Sequence, residues 1–182
     1  IITSPPYANN YDYADATRLE LAFCGQIKTW GDLQNNIRTD LVRSCTQHIS
    51  NSKTDLITSL QQLKNTPIYE EILKTGTSLL YEREKHGGKK NYPLMAAAYF
   101  SDLYLVWKNL RTLASDDSVT AFVIGDSAPY GIYLPVDEWL GKLAVYSGFT
   151  SYHFEKIRER NIKWKNRKHR VPLKEGILWV SG

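Results

Sequence analysis

Thr3-Ser4-Pro5-Pro6-Tyr7 sets two hydroxyls, two prolines and an aromatic ring in immediate succession. Each proline ring locks φ near about −65° and removes an N–H, and it drives the residue before it out of the helical region. The product is a stiff, extended corner with more carbonyls than local donors, followed by a flat ring with a polar tip. Such a corner suits a planar group bearing an NH2, and a nucleobase extruded from its duplex is one. Standing alone, Ser-Pro-Pro-Tyr is also compatible with an ordinary turn or a polyproline ligand segment. Here Ile1-Ile2 precede it as the tail of a buried strand, and a polar, aromatic run follows.

Two further groups of residues carry chemistry. Asp126 and Ser127 close an apolar run at 119–124, and ligands of open α/β sheets bind beyond the carboxyl ends of the strands. They read either as an active-site edge or as a strand-ending turn. Asp126-Ser127 with His153 does not make a hydrolase, because no Gly-x-Ser-x-Gly elbow is present. Arg158, Arg160, Lys163, Lys165, Arg167, Lys168 and Arg170 then crowd one segment around Trp164, offset only by Glu155 and Glu159. That segment is either a solvated face or a grip on phosphates with salt-dependent affinity. Cys24 and Cys45 match no metal-ligand spacing and suggest no disulfide framework; no metal is expected.

The corner resembles the (Ser/Asn/Asp)-Pro-Pro-(Tyr/Phe/Trp) motif of DNA methyltransferases that modify exocyclic amino nitrogens. Ser4 before the prolines is most typical of the N4-cytosine group, without excluding N6-adenine. Asn10-Tyr11-Asp12-Tyr13, Leu19-Glu20-Leu21-Ala22-Phe23 and Phe122-Val123-Ile124-Gly125-Asp126-Ser127 also look like sequences of this family. The likeness covers both ends of the chain well and the middle poorly. It implies S-adenosylmethionine as cofactor and double-stranded DNA as substrate. Ser4, Pro5, Pro6 and Tyr7 would be the catalytic corner, Thr3, Asp126 and Ser127 the cofactor side. Tyr11, Tyr13, Lys163, Lys165, Arg167, Lys168 and Arg170 would contact DNA; for the two tyrosines, simple loop anchoring is equally open. The family's glycine-rich methionine-binding motif is absent from these residues, as is an acidic residue to hold ribose. Those elements are expected on a missing half, in the same polypeptide or a partner, and the chain reads as beginning mid-strand in a longer protein. An RNA or protein amino-methyltransferase, or a non-catalytic DNA-binding subunit on the same fold, are the other readings.

These residues need a scaffold, and the composition allows one. The chain has 182 residues, 42% hydrophobic and 23% charged, with a formal net charge of +4. That fits one α/β domain with a real core and permits a polyanionic partner. With no signal peptide and no apolar run near the ~20 residues of a membrane span, a cytoplasmic location is expected. The pattern predicts part of a Rossmann-like methyltransferase sheet. A helix is expected from Asp15 as N-cap, burying Leu19, Ala22 and Phe23 and ending at Gly25. Residues 26–91 read as a mostly helical insertion, either a target-recognition element or a packing cap. Within it Leu56, Leu60 and Leu63 share one face, and Thr66-Pro67 should open a helix burying Ile68, Ile72 and Leu79. Pro93 should open a long helix with Ala96, Phe100, Leu103, Trp107 and Leu110 inward. The run 119–124 predicts a strand buried in a parallel sheet. A helix from Pro135 to a stop at Gly148 follows, then a strand at 149–154 and a last strand at 176–180.

Overall fold

A computed structural model describes residues 1–49, 55–88, 90–160 and 171–182. The architecture is mixed α/β, with a four-stranded sheet in the order β1-β2-β4-β3. β1 (Ile2–Thr3) lies parallel to β2 (Val119–Gly125), pairing Ile2 with Ala121 and Thr3 with Phe122. β4 (Leu173–Ser181) runs antiparallel to β2 along its whole length. β3 (Ser151–Arg160) is antiparallel to β4 from Ser151↔Ser181 to Arg160↔Leu173, with a bulge between Lys156 and Arg158. The run alone predicts a parallel sheet, and β2 has one parallel neighbour, β1, and one antiparallel neighbour, β4, which with β3 makes the closing antiparallel pair. The apolar run of β2 is buried because β4 is inserted beside it and helices cover it, not because parallel neighbours flank it on both sides.

The helices form layers over this sheet. α7 (Val136–Tyr146) contacts β2, β3 and β4; α6 (Tyr92–Leu113) packs on α7, and α5 (Tyr69–Lys85) packs on α6. α6 carries a proline in its first turn and a run of alanines, good helix formers that let neighbours approach closely. Its first half, from Pro93 to Ser101, is buried all round, and farther along Trp107 stacks on Phe122 of β2 with ring centroids 4.3 Å apart. β3 comes close to α7 because of Gly141: a Cβ there would sit 2.2 Å from the ring of Tyr152. α7 ends at Gly148, whose φ of +103° suits glycine, as expected of a helix stop.

Between Tyr13 and Lys85 the described residues form helices and turns without a strand. They comprise α1 (Tyr13–Ala16), α2 (Arg18–Phe23), α3 (Trp30–Asp32), a π-helical turn (Leu33–Ile37), 3-10 turns at Thr46–His48 and Gln61–Leu63, α4 (Leu56–Ser59) and α5. Leu56, Leu60, Leu63, Ile68, Ile72 and Leu79 are all buried and join the same core as the sheet. Three local expectations fail. The first cap is Asp12, not Asp15, and its carboxylate accepts from the Asp15 N–H; the helix breaks at Thr17 into two short pieces. The Leu19–Phe23 face is not buried: Leu19 is 73% and Phe23 92% exposed, because no described element packs over that face of α2. α5 begins at Tyr69 rather than at Pro67, since Thr66 turns back to bond Leu63. No described helix is long and apolar enough to cross a membrane.

Candidate active site

The proline corner leaves the carboxyl end of β1 and is bolted to the core on its far side. Ala8, fully buried, belongs to the main core. The Tyr99 hydroxyl, from the buried half of α6, donates to the Pro6 carbonyl at 2.9 Å. The Tyr7 carbonyl accepts from the Asn9 N–H at 2.7 Å, and the Ser127 hydroxyl donates to the Ala8 carbonyl. The carbonyls of Pro6, Tyr7 and Ala8 are thus engaged. No bond among the described residues uses those of Ser4 or Pro5. The Ser4 hydroxyl donates to the Val123 carbonyl at 3.4 Å, which leaves its oxygen lone pairs able to accept.

Tyr7 is half-buried beside the end of β2. One face of its ring carries the Arg160 guanidinium, 5.1 Å from the centroid, within cation–π range. Gly125 makes this approach possible, since a Cβ there would meet Arg160 Nη1 at 2.6 Å and the Tyr7 ring at 3.1 Å. Arg160 also donates to the Asp126 carbonyl at 3.2 Å and faces Glu175 at 3.6 Å. Burial, and next the Glu175 carboxylate, push the Tyr7 hydroxyl above its ordinary pKa, against the pull of Arg160. The ring therefore stays neutral at physiological pH and presents an uncharged π-face.

Asp126 and Ser127 lie next to the corner but turn their polar groups inward. The Asp126 carboxylate is 1% exposed; it accepts from the Tyr133 hydroxyl at 2.5 Å and from the Val136 N–H, at the start of α7, at 3.2 Å. Burial raises its pKa, against the Tyr133 bond, and burial together with Asp126 raises that of Tyr133. These contacts tie β2, α7 and the corner together. The strand expected to be buried at Ile1-Ile2 is instead exposed, Ile1 at 49% and Ile2 at 88%, because β1 lies at the edge of the described sheet, and Thr3 is exposed beside them. Tyr11 and Tyr13 are exposed and meet edge to face, with centroids 4.8 Å apart. Of the basic segment, Arg158 and Arg160 pair with Glu175 instead of standing free. Lys163, Lys165, Arg167, Lys168 and Arg170 lie outside the described residues.

Sequence reasoning overlooked Tyr99, Gly125 and Tyr133. Gly125 had a visible signal, a glycine ending a buried strand just before Asp126. Tyr99 was hidden among the apolar letters of α6. A third cluster also went unread: Cys45 is in fact gathered with His48 and Asp12, their ligand atoms all within 4.8 Å of one another. The Cys-x-x-His spacing was its only sequence trace.

Comparison with known proteins agrees with the resemblance at the level of enzyme class. No family model matches the chain, and no solved structure matches it significantly. The Type II methyltransferase M.AvaI of Nostoc sp. is 33% identical over 155 residues, covering 82% of this chain and 30% of the relative. M.AvaI of Anabaena variabilis aligns with the same figures. The Type II methyltransferase M.BsoBI of Geobacillus stearothermophilus is 28% identical, covering 98% of this chain and 37% of that protein. The chain spans about a third of the length of these relatives, and over most of its own length it is similar to Type II methyltransferases.

Proposed function

We propose that this chain is the acceptor side of an S-adenosylmethionine-dependent DNA methyltransferase acting on an exocyclic amino nitrogen, N4 of cytosine, in a flipped base. The observation that carries the reading is the division of carbonyls at the corner. Pro6, Tyr7 and Ala8 spend theirs on the scaffold, while those of Ser4 and Pro5 stay open beside an accepting hydroxyl and an aromatic ring. A planar NH2 brings two donors, and this is a rigid set of acceptors for them.

The duplex gives up the base at a cost of a few kcal/mol. Tyr7 stacks on it. Ser4 Oγ and the Pro5 or Ser4 carbonyl accept the two amino hydrogens, which fixes the direction of the nitrogen lone pair. Because the prolines hold the acceptors still, this positioning supplies much of the acceleration. S-adenosylmethionine, when bound, supplies an electrophilic methyl group. The residues of this chain fit that cofactor only in part. Asp126 and Ser127 use their polar groups within the protein, and the glycine-rich methionine motif is not among these residues. We therefore assign Thr3, Asp126 and Ser127 to shaping the edge of the cofactor site, with most contacts made by a second half. Tyr11 and Tyr13 flank the base, Lys163, Lys165, Arg167, Lys168 and Arg170 hold phosphates, and residues 26–91 contribute to target recognition.

The test is methylation of mixed-sequence duplex DNA by the full-length parent protein with labelled cofactor, followed by mass spectrometry of the digested nucleosides. N4-methylcytosine is expected. N6-methyladenine would overturn the choice of base, and no methylated nucleoside, with cofactor binding verified, would overturn the reading. In the same assay Tyr7→Ala should lower turnover roughly 10- to 100-fold, the value of one base–aromatic stack; unchanged turnover would remove the stacking role.

A further inference from the structure

The loop after the corner is tied to residues 42–48 by a polar cluster that methyl transfer does not use. Asn10, at a φ of +63°, accepts from the Thr46 N–H through Oδ1 at 2.8 Å, and its own N–H donates to the Ser44 carbonyl at 3.1 Å. Two residues on, Asp12 divides its carboxylate. Oδ2 takes the buried Arg38 guanidinium at 2.5 Å, and Oδ1 faces His48 Nε2 at 3.2 Å. Cys45 Sγ lies alongside, 3.6 Å from Asn10 Oδ1 and against Gln47 Oε1. Cys45 and the His48 ring are fully buried, and the Asp12 side chain nearly so.

The histidine has a definite orientation. Its Nδ1 is 3.2 Å from the Val42 carbonyl, which can only accept, so Nδ1 carries the hydrogen. Nε2 of a neutral imidazole is then a bare lone pair aimed at a carboxylate oxygen. Two acceptors at 3.2 Å need a cation between them, either a proton or a metal ion. A backbone-anchored Nδ1–H with Nε2 turned to a carboxylate is the arrangement that outer-shell contacts impose on metal-binding histidines. The neighbouring sulfur points to the metal, since a borderline-soft ion favours a thiolate beside imidazole and carboxylate.

We propose that Asp12, Cys45 and His48 bind a Zn2+ ion, with the side-chain oxygen of Asn10 or Gln47 completing the site. Bonds of about 2.0–2.3 Å set tetrahedral ligand atoms roughly 3.3–3.8 Å apart. Atoms now within 4.8 Å of one another therefore draw in by about 1 Å or less, which rotamer adjustment supplies. With Arg38 included, the occupied cluster carries one net positive charge. Zn2+ displaces the thiol proton, thiolate and carboxylate neutralise the ion, and Arg38 remains on the second carboxylate oxygen as an outer-shell partner. The ion would clip the loop at Asn10 and Asp12 to the turn at 45–48, and so hold the chain just after Tyr7. This proposal does not depend on the methyl-transfer reading.

The test is metal analysis of the protein purified without chelators, followed by replacement of Zn2+ with Co2+. The expected results are stoichiometric zinc, a melting temperature that falls with chelator and recovers with Zn2+, and a thiolate-to-cobalt charge-transfer band. Cys45→Ser should lose the band while its circular dichroism shows it folded, and Cys24→Ser, at the exposed cysteine, should keep it. His48→Ala should weaken Co2+ binding. Protein without zinc whose melting temperature ignores added Zn2+ would overturn the site. So would a Cys45→Ser variant that keeps the cobalt band.

Discussion

The sheet with α6 and α7 and the segment from Tyr13 to His48 are held by different forces. In the first, Tyr99, Phe100, Trp107, Phe122 and Trp139 interlock in one continuous core. Burial there is non-directional and additive, worth about 25 cal/mol per Å² of apolar surface. The second has a small apolar centre of Ala14, Ile27 and Leu33, and it leaves Leu19, Phe23 and Trp30 exposed. Its attachment to the rest is mostly polar, with Val42 against the main core as an apolar contact: Asp12 with Arg38 and His48, Asn10 with Thr46, and Arg43 doubly bonded to Asp102 of α6 at 2.6 and 3.0 Å. Directional bonds fix geometry with little surplus energy, because each offsets its own desolvation. The proline corner lies at the junction, its inner side gripped by the apolar region and its outgoing loop by the polar one.

The contrast can be broken from either side. Trp107→Ala removes one of the two tryptophan rings of the core, stacked on Phe122, and should cost about 3–5 kcal/mol. Denaturant unfolding followed in both regions should shift together, and a loss below about 1 kcal/mol would mean the core is not the common support. Arg38→Met leaves the Asp12 carboxylate without its guanidinium and should cost about 3 kcal/mol, concentrated locally. Hydrogen exchange should quicken for residues 33–48 while α6 stays protected, and equal acceleration in α6 would erase the distinction. The smallest effect belongs to a polar contact at the rim of the apolar region. Glu71 accepts from Lys142 at 2.8 Å and from the Trp139 indole at 2.7 Å, and these bonds, Lys142 first, hold its pKa below the ordinary 4.5. A depressed carboxylate stabilises above its unfolded pKa, and that contribution disappears as pH falls through the folded value. The gap in melting temperature between wild type and Glu71→Gln should therefore be small near pH 7 and shrink as pH falls below the ordinary 4.5; a gap that persists undiminished in acid would assign it to shape, not charge.

Legibility followed the same division. The long helix over Trp107, the helix ending at Gly148 and the final strand were readable because their apolar residues recur at one period. The Leu19–Phe23 face was misread for the same reason: its spacing promises burial, and whether anything covers it is a long-range fact. At the candidate site, the corner's stiffness was evident from Pro5 and Pro6, and Tyr7 from its place beside them. The contribution of Tyr99, far along the chain, was not, because a hydroxyl on a buried face looks like one more aromatic residue. Cys45 and His48 were passed over since their partner, Asp12, is distant in sequence and carries no pattern of its own.

By itself the sequence determined local stiffness and periodicity: a stiff proline corner, an alanine-rich helix, and apolar strands at 119–124 and 176–180. These follow from φ restriction and side-chain volume, which neighbouring residues set. Only the tertiary structure decided which carbonyls of the corner stay open, where Arg160 rests, and that a cysteine, a histidine and an aspartate converge. Hydrogen bonds and charges act over a few ångströms of space and are indifferent to distance along the chain.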